Sequence, residues 1–454
     1  MSRSTLRVAV LGAGTVGREV VRAFEAFPER LAVHGGPSLA LVGVGVRDLV
    51  KARAAGIPAE FLTDAPAHLV ASPETDVVVE LMGGEEPART MIAAALGAGR
   101  PVVTANKHVI AHHGAELEAA ARRTGAALRF EAAVAGGIPI LGPLAADLAA
   151  NRVTRVRGIV NGSTNYLLTA MATGGRAYDD VLADAQAAGY LEADPSADVE
   201  GADAVNKLVI LIRLAFGIWV DPDEIVRRPP TVGGPVGTAA GTAGAWTGEP
   251  GITGITLAQV AGAAALGFAI KLVADARRLP DGRVAASVVP TAVPLDDPLG
   301  RTDGVTNRVE IHAQPIGIVA ASGPGAGGAA TASAVLGDLL AIARGAGSTW
   351  AGLPAAGAGS GGDLAGPLES GPDRGWFAVI EDETAAAASA ATSGRARARA
   401  RGGARAAARV AGYPGGTAIH LPHGSLAEMR KLLAARGAPP GSIVLPVDEP
   451  SETA

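Results

Sequence analysis

The sequence contains no cysteine. This absence excludes disulfides, thiolate metal sites and any aldehyde dehydrogenase mechanism that passes through a cysteine thioester. Aromatic residues are also scarce, at 3% of a chain that is 48% hydrophobic, so the apolar content comes mainly from small aliphatic side chains. Such side chains suit close packing of helices on sheets, and we expect a large core with little disorder.

Neither one sign of charge nor a long apolar run dominates the sequence. The net charge of −5 at pH 7 offers no general attraction for nucleic acid or for an anionic membrane. No apolar run reaches the roughly 18 residues that a membrane-spanning helix requires, and the first residues enter a strand pattern without a leader. We therefore expect a cytoplasmic protein that acts on a small molecule, with no nucleic-acid or membrane partner.

The 454 residues exceed what a single core usually holds, so several domains are expected. Residues 1–150 alternate short apolar, β-rich runs with Ala-rich helical stretches, a pattern typical of a doubly wound parallel sheet that helices cover on both faces. The predicted strands are LRVAVL (6–11), LALVGVGV (39–46), DVVVELM (76–82), RPVVTA (100–105) and ALRFEAAV (127–134).

The rest of the chain divides by composition into three parts. Residues 151–344 predict an α+β substrate domain, with helical segments at 199–216 and 256–278 and a surface loop at 229–254. A Gly, Ala and Ser-rich stretch at 345–374 predicts a linker. Residues 375–454 predict a small C-terminal α/β domain, in which the Arg-rich tract 385–409 is a solvated helix, since no aromatic residues accompany it for nucleic-acid binding.

A glycine-rich loop joins the first predicted strand to the helix after it. Gly12 permits a tight turn, Gly14 lets the backbone approach a pyrophosphate, and Gly17 lets the helix lie close to the strand. The N–H groups at the start of the helix then point at phosphate. This predicts a Rossmann-type dinucleotide-binding domain in which Thr15 and Val16 also bind the cofactor; a turn without ligand is the plainer alternative.

The end of the second predicted strand bears on the choice of cofactor. An acidic residue there usually binds the ribose 2′-hydroxyl of NAD, whereas this strand is followed by Arg47. A guanidinium pairs well with phosphate, so Arg47 favours NADP. The neighbouring Asp48 keeps NAD possible, and a solvated loop position for Arg47 stays open.

The predicted helix over 199–216 holds a lysine and a carboxylate on one face. Asp203 and Lys207 lie four residues apart, and Ile210, Leu211 and Leu214 share that face. Desolvation in apolar surroundings would lower the pKa of the amine while the carboxylate would oppose this effect. An ordinary ion pair with a snorkelling lysine is equally compatible with the spacing.

Several segments carry polar residues where periodicity alone predicts apolar ones. Together they resemble the motifs of homoserine dehydrogenases, in order, over about residues 6–345. The segments are ELMGGEEPA (80–88), TANKHVI (104–110), EAAVAGGIPI (131–140), NGSTNYLL (161–168), AGYLEADPSADVEGADAVNKLVILIRLAFG (188–217) and SGPGAGGAATASAVLGDL (322–339).

The resemblance implies reversible, NAD(P)-dependent oxidation of L-homoserine to L-aspartate 4-semialdehyde, on the route to threonine, methionine and isoleucine. It implies that Lys207 transfers the proton at the substrate hydroxyl, that Asp203 binds the substrate and that Glu192 binds its amino group. These roles fit an amino alcohol, which brings an ammonium that needs a carboxylate and a hydroxyl whose proton must leave. The implied substrate set also includes Tyr190, Asp198, Gly162 and Ser163.

Lys107 follows a predicted sheet strand, at the edge where open α/β sheets bind ligands. By resemblance it contacts cofactor and substrate and shares the acid and base work, whereas the residues alone favour a surface lysine. Gly304 joins the predicted cofactor-binding set. The resemblance further implies a homodimer through residues 151–344, which are therefore a predicted substrate-binding and dimerisation domain.

A monovalent cation site, for Na⁺ or K⁺, is implied within EAAVAGGIPI. Its ligands would be the Glu131 side chain and the carbonyls of Val134, Gly136 and Ile138, because a hard cation prefers oxygen. His108, His112 and His113 have near-helical spacing but show no acidic partner nearby in the sequence. They predict a solvated helix start rather than a transition-metal site.

Two other functions compete with this interpretation. Another Rossmann dehydrogenase of amino-acid metabolism is one, although aspartate-semialdehyde dehydrogenase needs a cysteine that this chain lacks. A non-catalytic nucleotide sensor is the other, and Glu192, Asp203 and Lys207 together argue against it. The tail sequence WFAVIEDETAAA lacks the turn that opens the family's threonine-binding ACT domain, so the tail is interpreted as a degenerate or different module.

Overall fold

The computed structural model describes residues 5–33, 36–188, 191–233, 246–356, 364–366, 374–381, 408–414 and 416–448. Most of the Arg-rich tract predicted as a helix, 385–409, lies outside these residues. Over the described part of the chain, no helix is both long and apolar enough to span a membrane.

The chain forms sixteen described strands and thirteen described α-helices. The strands are β1 Thr5–Leu11, β2 Ser38–Gly45, β3 Leu62–Thr63, β4 Val77–Glu80, β5 Val102–Thr104, β6 Leu128–Arg129, β7 Arg152–Ile159, β8 Phe268–Arg278, β9 Val284–Pro294, β10 Thr306–Gln314, β11 Gly317–Pro324, β12 Leu364–Ala365, β13 Arg374–Glu381, β14 Arg409–Tyr413, β15 Gly416–Leu421 and β16 Val444–Asp448. The helices are α1 Thr15–Ala26, α2 Leu49–Ala54, α3 Pro66–Ala71, α4 Ala88–Gly97, α5 Lys107–Thr124, α6 Leu141–Ala145, α7 Gly162–Gly174, α8 Tyr178–Ala187, α9 Ser196–Val199, α10 Ala202–Phe216, α11 Leu257–Ala265, α12 Gly328–Ala343 and α13 Leu426–Ala434.

The first compact unit holds a six-stranded parallel sheet in the order β3-β2-β1-β4-β5-β6. This is the strand order of a doubly wound dinucleotide-binding fold, and it confirms the predicted fold class. The reversal of order between β1 and β4 brings the loops after these strands together at the carboxyl edge. Valines and leucines of the sheet pack with α1 and α12 to form its core, which includes Val8, Val10, Val79, Val103, Val335 and Leu339.

The second compact unit is built around a mixed sheet in the order β11-β10-β7-β8-β9-β16-β13-β15-β14, with β12 paired to β9. The long strands β8 and β9 pair antiparallel along their whole length. A core with Trp246, Trp376, Ile419 and Met429 packs around the C-terminal strands and α13. The predicted C-terminal segment thus adds its strands to this sheet.

The compact units are not contiguous in sequence. The first comprises residues 1–153, 209–222 and 321–360, and the second the remainder. Helix α12 joins the first unit because Gly328 lies against α1, where an added Cβ would come within 2.8 Å of the Thr15 carbonyl oxygen. Packing thus groups the chain differently from the contiguous ranges that the sequence predicts.

One helix prediction was wrong, and two other predicted segments contain buried side chains. The segment 256–278 is not one helix, because α11 stops at Ala265 and Gly267, with φ of +87°, turns the chain into β8. The start of the predicted linker is packed, since Trp350 is 2% exposed and contacts Phe130 at a tilt of 42°, with ring centroids 5.4 Å apart. The predicted surface loop, 229–254, likewise contains the buried side chain of Trp246.

Candidate active site

The glycine-rich loop has the geometry that its sequence predicts. Gly12 adopts φ of +100° and lies against the turn after β4, where a Cβ would come within 2.5 Å of the Leu81 carbonyl oxygen. A Cβ on Gly17 would lie 2.1 Å from the Gly12 carbonyl oxygen, so helix and turn touch here. Gly14 is exposed, caps α1 without a side-chain hydrogen bond, and has no atom within 4 Å of its Cβ position. The loop therefore leaves the start of α1, at Thr15 and Val16, accessible to a phosphate.

The two residues after β2 have different environments. Asp48 is the N-cap of α2, and its carboxylate accepts a hydrogen bond from the Lys51 backbone N–H at 2.8 Å. Arg47 is exposed at the carboxyl edge of the sheet. The capping contact accounts for the carboxylate of Asp48. It assigns no role to Arg47, the other charged residue that follows β2.

Lys107 is the first residue of α5 and follows Asn106, which caps that helix. The Asn106 side chain accepts from the Val109 N–H at 3.1 Å and donates to the Gly84 carbonyl at 2.7 Å. Next to it, Thr104 donates to the buried Glu80 carboxylate at 2.6 Å. Burial raises the pKa of Glu80. The sequence predicts a role for Lys107 but does not predict the polar side chains, Thr104 and Asn106, that fix the turn before it.

The second unit holds a buried lysine and carboxylate pair. The side chains of Lys207 and Asp203, one turn apart on α10, are 10% and 8% exposed. The Lys207 Nζ donates to Asp203 Oδ2 at 2.7 Å and to the Val160 carbonyl at 2.6 Å. An ammonium has three N–H donors, so one is left beyond these two bonds. The ion pair predicted from the spacing is thus present, and it is buried rather than solvated.

Asn161 connects the residues of this cluster by hydrogen bonds, a role that the sequence did not predict. Its side-chain amide donates to Asp203 Oδ2 at 2.8 Å and to Asp198 Oδ1 at 2.6 Å. Its carbonyl oxygen accepts from the Thr164 N–H at 2.9 Å and so caps α7. One amide therefore holds two carboxylates beside the start of a helix. The signal in the sequence is the Asn-Gly pair that follows β7 after Val160, inside the motif NGSTNYLL.

The other predicted substrate residues are less tightly placed. Gly162 and Ser163 open α7, and a Cβ on Gly162 would come within 2.7 Å of the Val305 carbonyl oxygen. Gly304, which precedes Val305, donates its backbone N–H to the hydroxyl oxygen of Thr169 on α7 at 3.1 Å. Glu192 is exposed, and its carbonyl accepts from Gln186 at 3.2 Å. Tyr190 lies outside the described residues.

Glu131, the predicted cation ligand, caps a helix. Its carboxylate accepts the N–H groups of Ile140, Leu141 and Gly142 at 2.7 to 2.8 Å, at the start of α6. Burial raises its pKa. The loop that follows is tightly turned, with φ of +55° at Ala135 and +57° at Gly136. In the described hydrogen bonds between backbone groups of turns and loops, none ends on the carbonyls of Val134, Gly136 or Ile138.

The histidines on α5 do have an acidic partner, contrary to the prediction. Glu85 lies 2.7 Å from His113 and 3.6 Å from His108, measured between carboxylate oxygen and Nε2. The hydrogen bond from His113 lowers the pKa of Glu85. The partner is distant in sequence because it belongs to the loop after β4, which only the sheet brings beside α5.

The doubly wound sheet, its glycine loop and a buried lysine beside carboxylates define a dinucleotide-dependent oxidoreductase. The comparisons with known proteins make this class specific. The family model of the homoserine dehydrogenase NAD-binding domain matches residues 12–131, and the homoserine dehydrogenase model matches residues 139–340. The chain belongs to the homoserine dehydrogenase family and has that activity, in amino-acid biosynthesis.

Individual relatives agree. The chain is 46% identical to a homoserine dehydrogenase of Mycobacterium tuberculosis over 341 residues, which cover 74% of this chain and 72% of the relative. The Bacillus subtilis enzyme is 37% identical over 340 residues, covering 75% and 73%. Among solved structures, a homoserine dehydrogenase from Thiobacillus denitrificans matches with a TM-score of 0.76 and 31% identity over 98% of both chains. A hyperthermophilic archaeal homoserine dehydrogenase in complex with NADPH matches with a TM-score of 0.59 and 28% identity, over 75% of this chain and 98% of that chain.

Proposed function

We propose that the enzyme interconverts L-homoserine and L-aspartate 4-semialdehyde with Lys207 as the group that moves the hydroxyl proton, and that it prefers NADP(H) to NAD(H). The buried hydrogen-bonded position of Lys207 carries this proposal. Asp203 and the Val160 carbonyl fix its ammonium and leave one N–H direction for a ligand. A fixed donor within reach of the reacting oxygen is what general acid and base catalysis needs.

The carboxylates near Lys207 suit an amino-acid substrate. Asp203 is committed to Lys207 and to Asn161, whereas Asp198 is partly exposed and accepts one described hydrogen bond, from Asn161. An ammonium group of a substrate would find an acceptor at Asp198, and Glu192 would add a second from its exposed loop. Tyr190, Gly162 and Ser163 complete the proposed substrate set.

The residues of the first unit fit the dinucleotide. Gly12, Gly14 and Gly17 leave the start of α1 open to its pyrophosphate, and Arg47 would bind a 2′-phosphate. When bound, the nicotinamide supplies the hydride acceptor or donor. Lys107 is proposed to bind the cofactor and to assist at the substrate, because it starts a helix at the carboxyl edge of the sheet, where such folds bind ligands. Gly304 is proposed as a further cofactor contact.

The test of the catalytic proposal is Lys207→Ala, assayed by absorbance at 340 nm with homoserine and NADP⁺. Loss of a general acid or base lowers kcat by about 10² to 10⁴-fold. Cofactor binding, followed by quenching of protein fluorescence with NADPH, should stay unchanged. Lys431→Ala, at an exposed lysine on α13, is the matched control and should keep the parental kcat. A kcat of Lys207→Ala within a few-fold of the parent would refute the assignment.

The test of cofactor preference is Arg47→Ala, with Arg53→Ala as a control in the exposed last turn of α2. Loss of a guanidinium from a 2′-phosphate should raise the KM for NADP⁺ about tenfold or more and leave the KM for NAD⁺ within about twofold. Equal changes for both cofactors would show that Arg47 does not read the 2′-phosphate.

We also propose that Na⁺ or K⁺ binds at the loop 131–138 and stabilises it. Three carbonyls without a described backbone partner, on Val134, Gly136 and Ile138, are the hard oxygen donors that such a cation prefers. Glu131 gives three of its roughly four acceptor positions to N–H groups, which leaves one for a cation. Titration of NaCl or KCl against choline chloride should raise Tm in the parent and not in Glu131→Gln. A homodimer, the absence of a nucleic-acid partner and a cytoplasmic location stay predictions, of which sedimentation velocity tests the first.

A further inference from the structure

A buried glutamate lies at the carboxyl end of β4, and neither the cofactor loop nor the proposed proton transfer uses it. Glu80 is 0% exposed. Its Oε1 accepts the backbone N–H of Met82 at 2.7 Å, and its Oε2 accepts the hydroxyl of Thr104 at 2.6 Å. Burying a carboxylate is destabilising unless hydrogen bonds compensate for the lost hydration, so the position of Glu80 calls for an explanation in the structure around it.

The hydrogen bonds continue from Glu80 to the turn that carries Lys107. Thr104, at the end of β5, accepts the Asn106 backbone N–H at 2.9 Å through the same hydroxyl oxygen that donates to Glu80. The Asn106 side chain then caps α5 through the Val109 N–H and donates to the Gly84 carbonyl. The chain of bonds thus joins the turn after β4 to the turn after β5, and Lys107 is the next residue.

The direction of each bond requires an acceptor at both oxygens of residue 80. The Met82 N–H and the Thr104 hydroxyl donate to Glu80, and hydrogen bonds from the Gly83 backbone and the Asn106 side chain also lower its pKa. A glutamine would keep the shape but present an NH₂ to one of them. Either the Met82 N–H would face a donor, or the Thr104 hydroxyl would lose its acceptor. A buried donor without a partner is destabilising, so the turn would move to relieve it.

We propose that Glu80 is a positioning residue that fixes Lys107 for the reaction through Thr104 and Asn106. The inference rests on the proposed role of Lys107. Small misplacement of a group that acts on a reacting atom lowers the rate strongly, by as much as about 10²-fold for 1 Å. Glu80 therefore affects turnover without touching substrate or cofactor.

The experiment is a double-mutant cycle on kcat with the full-length chain, using Glu80→Gln, Lys107→Ala and the double variant. Glu80→Gln alone should lower kcat about tenfold. In the Lys107→Ala background the same change should lower kcat by less than about twofold, because the group that Glu80 positions is gone. A kcat of Glu80→Gln within twofold of the parent, or equal losses in both backgrounds, would overturn the proposal. If Lys107→Ala alone kept the parental kcat, Lys107 would have no role in turnover and the inference about Glu80 would fail as well.

Two further variants separate positioning from general destabilisation. Thr104→Val removes the hydroxyl that links Glu80 to Asn106 and should reproduce the loss of Glu80→Gln, whereas Thr104→Ser keeps the hydroxyl and should restore at least half of the parental kcat. Glu118→Gln is the matched control, since Glu118 is also a buried carboxylate of the same unit but pairs with Arg213 and Trp219. It should lower Tm and keep the parental kcat. Failure of Thr104→Ser to restore kcat would contradict a role for the hydroxyl.

Discussion

Asn161 offers the sharpest test of how the Lys207 cluster is held. Its amide donates to both Asp198 and Asp203, and its carbonyl oxygen caps α7. Three substitutions separate these contributions. Serine keeps a capping oxygen and loses both donors, alanine loses cap and donors, and aspartate keeps the cap while adding a carboxylate between two others.

The size of each effect follows from burial. A hydrogen bond to a charged group contributes about 2 kcal/mol when it is buried, as at Asp203, and less at the partly exposed Asp198. The cap contributes about 1 kcal/mol. Asn161→Ala should therefore lower the free energy of unfolding by about 3 to 4 kcal/mol, and Asn161→Ser by about 2 to 3 kcal/mol. Both should lower kcat/KM about tenfold or more, because Asp203 no longer holds Lys207 in one place.

The aspartate variant adds a dependence on pH. Neighbouring carboxylates raise the pKa of the new carboxyl group, and its protonated form donates one of the two hydrogen bonds that the amide donates. The ratio of variant to parental kcat/KM should therefore rise as pH falls. Urea unfolding gives the stabilities, and the 340 nm assay gives kcat/KM between pH 6 and 9. A constant ratio across this range, or a parental kcat/KM in the serine variant, would refute the role assigned to Asn161.

Three other predictions concern residues whose contacts are well defined. Arg213→Met should lower the free energy of unfolding by about 3 to 5 kcal/mol in urea titrations, because Arg213, 0% exposed, pairs with both oxygens of Glu118; an effect below about 1 kcal/mol would contradict the buried pair. Gly17→Ala should abolish NADPH binding in fluorescence titrations because its Cβ would collide with the Gly12 carbonyl, whereas Gly14→Ala should fold like the parent and only weaken NADPH binding; equal effects of the two would be evidence against this loop geometry. Burial, together with the charges of Arg155 and Arg157, lowers the pKa of His312 from 6.5 to about 4. As pH falls, the unfolded chain therefore binds a proton at His312 before the folded protein does. The parent should lose stability between about pH 6.5 and 4, by up to about 2 kcal/mol at pH 5. His312→Gln should remove that part of the loss between urea titrations at pH 7 and pH 5, and an unchanged loss would count against it.

Three strands of the first sheet could be predicted closely because their buried residues form apolar runs, whereas the two-residue β3 was not predicted and β6 is shorter than the predicted strand 127–134. Strands β1, β2 and β4 carry continuous apolar runs between helical stretches, and the observed bounds lie within a few residues of those predicted. Strand β8 could not be predicted, because FAIKLVADARR follows an Ala-rich helix without a break other than Gly267. Its conformation is decided by pairing with β9, a contact that a local pattern does not contain.

In the candidate site too, contacts within one helix could be predicted, whereas contacts between distant segments of the chain could not. The ion pair of Lys207 and Asp203 was predictable because it lies within one helix, at a spacing of four residues. Asn161 lies 42 residues from Asp203, and Glu85 lies 28 residues from His113, so only the fold brings these groups together. Capping gives two other carboxylates a structural role that the sequence did not indicate: Asp48 and Glu131 both accept N–H groups at the start of a helix.

For Glu131 the two uses are compatible once the local charge is counted. Glu131 is half-buried and Asp338 is buried, and Asp338 accepts the Glu131 backbone N–H at 2.8 Å. Burial raises the pKa of each, and their mutual repulsion raises that of Glu131 further. Among the ion pairs of the described residues, Arg129 to Asp338 at 2.7 Å is the one that involves either carboxylate. Two ionised carboxylates and one guanidinium leave a single negative charge beside three carbonyls without a described backbone partner. A bound monovalent cation, as we propose for this loop, would balance that charge and favour the ionised form of both carboxyl groups.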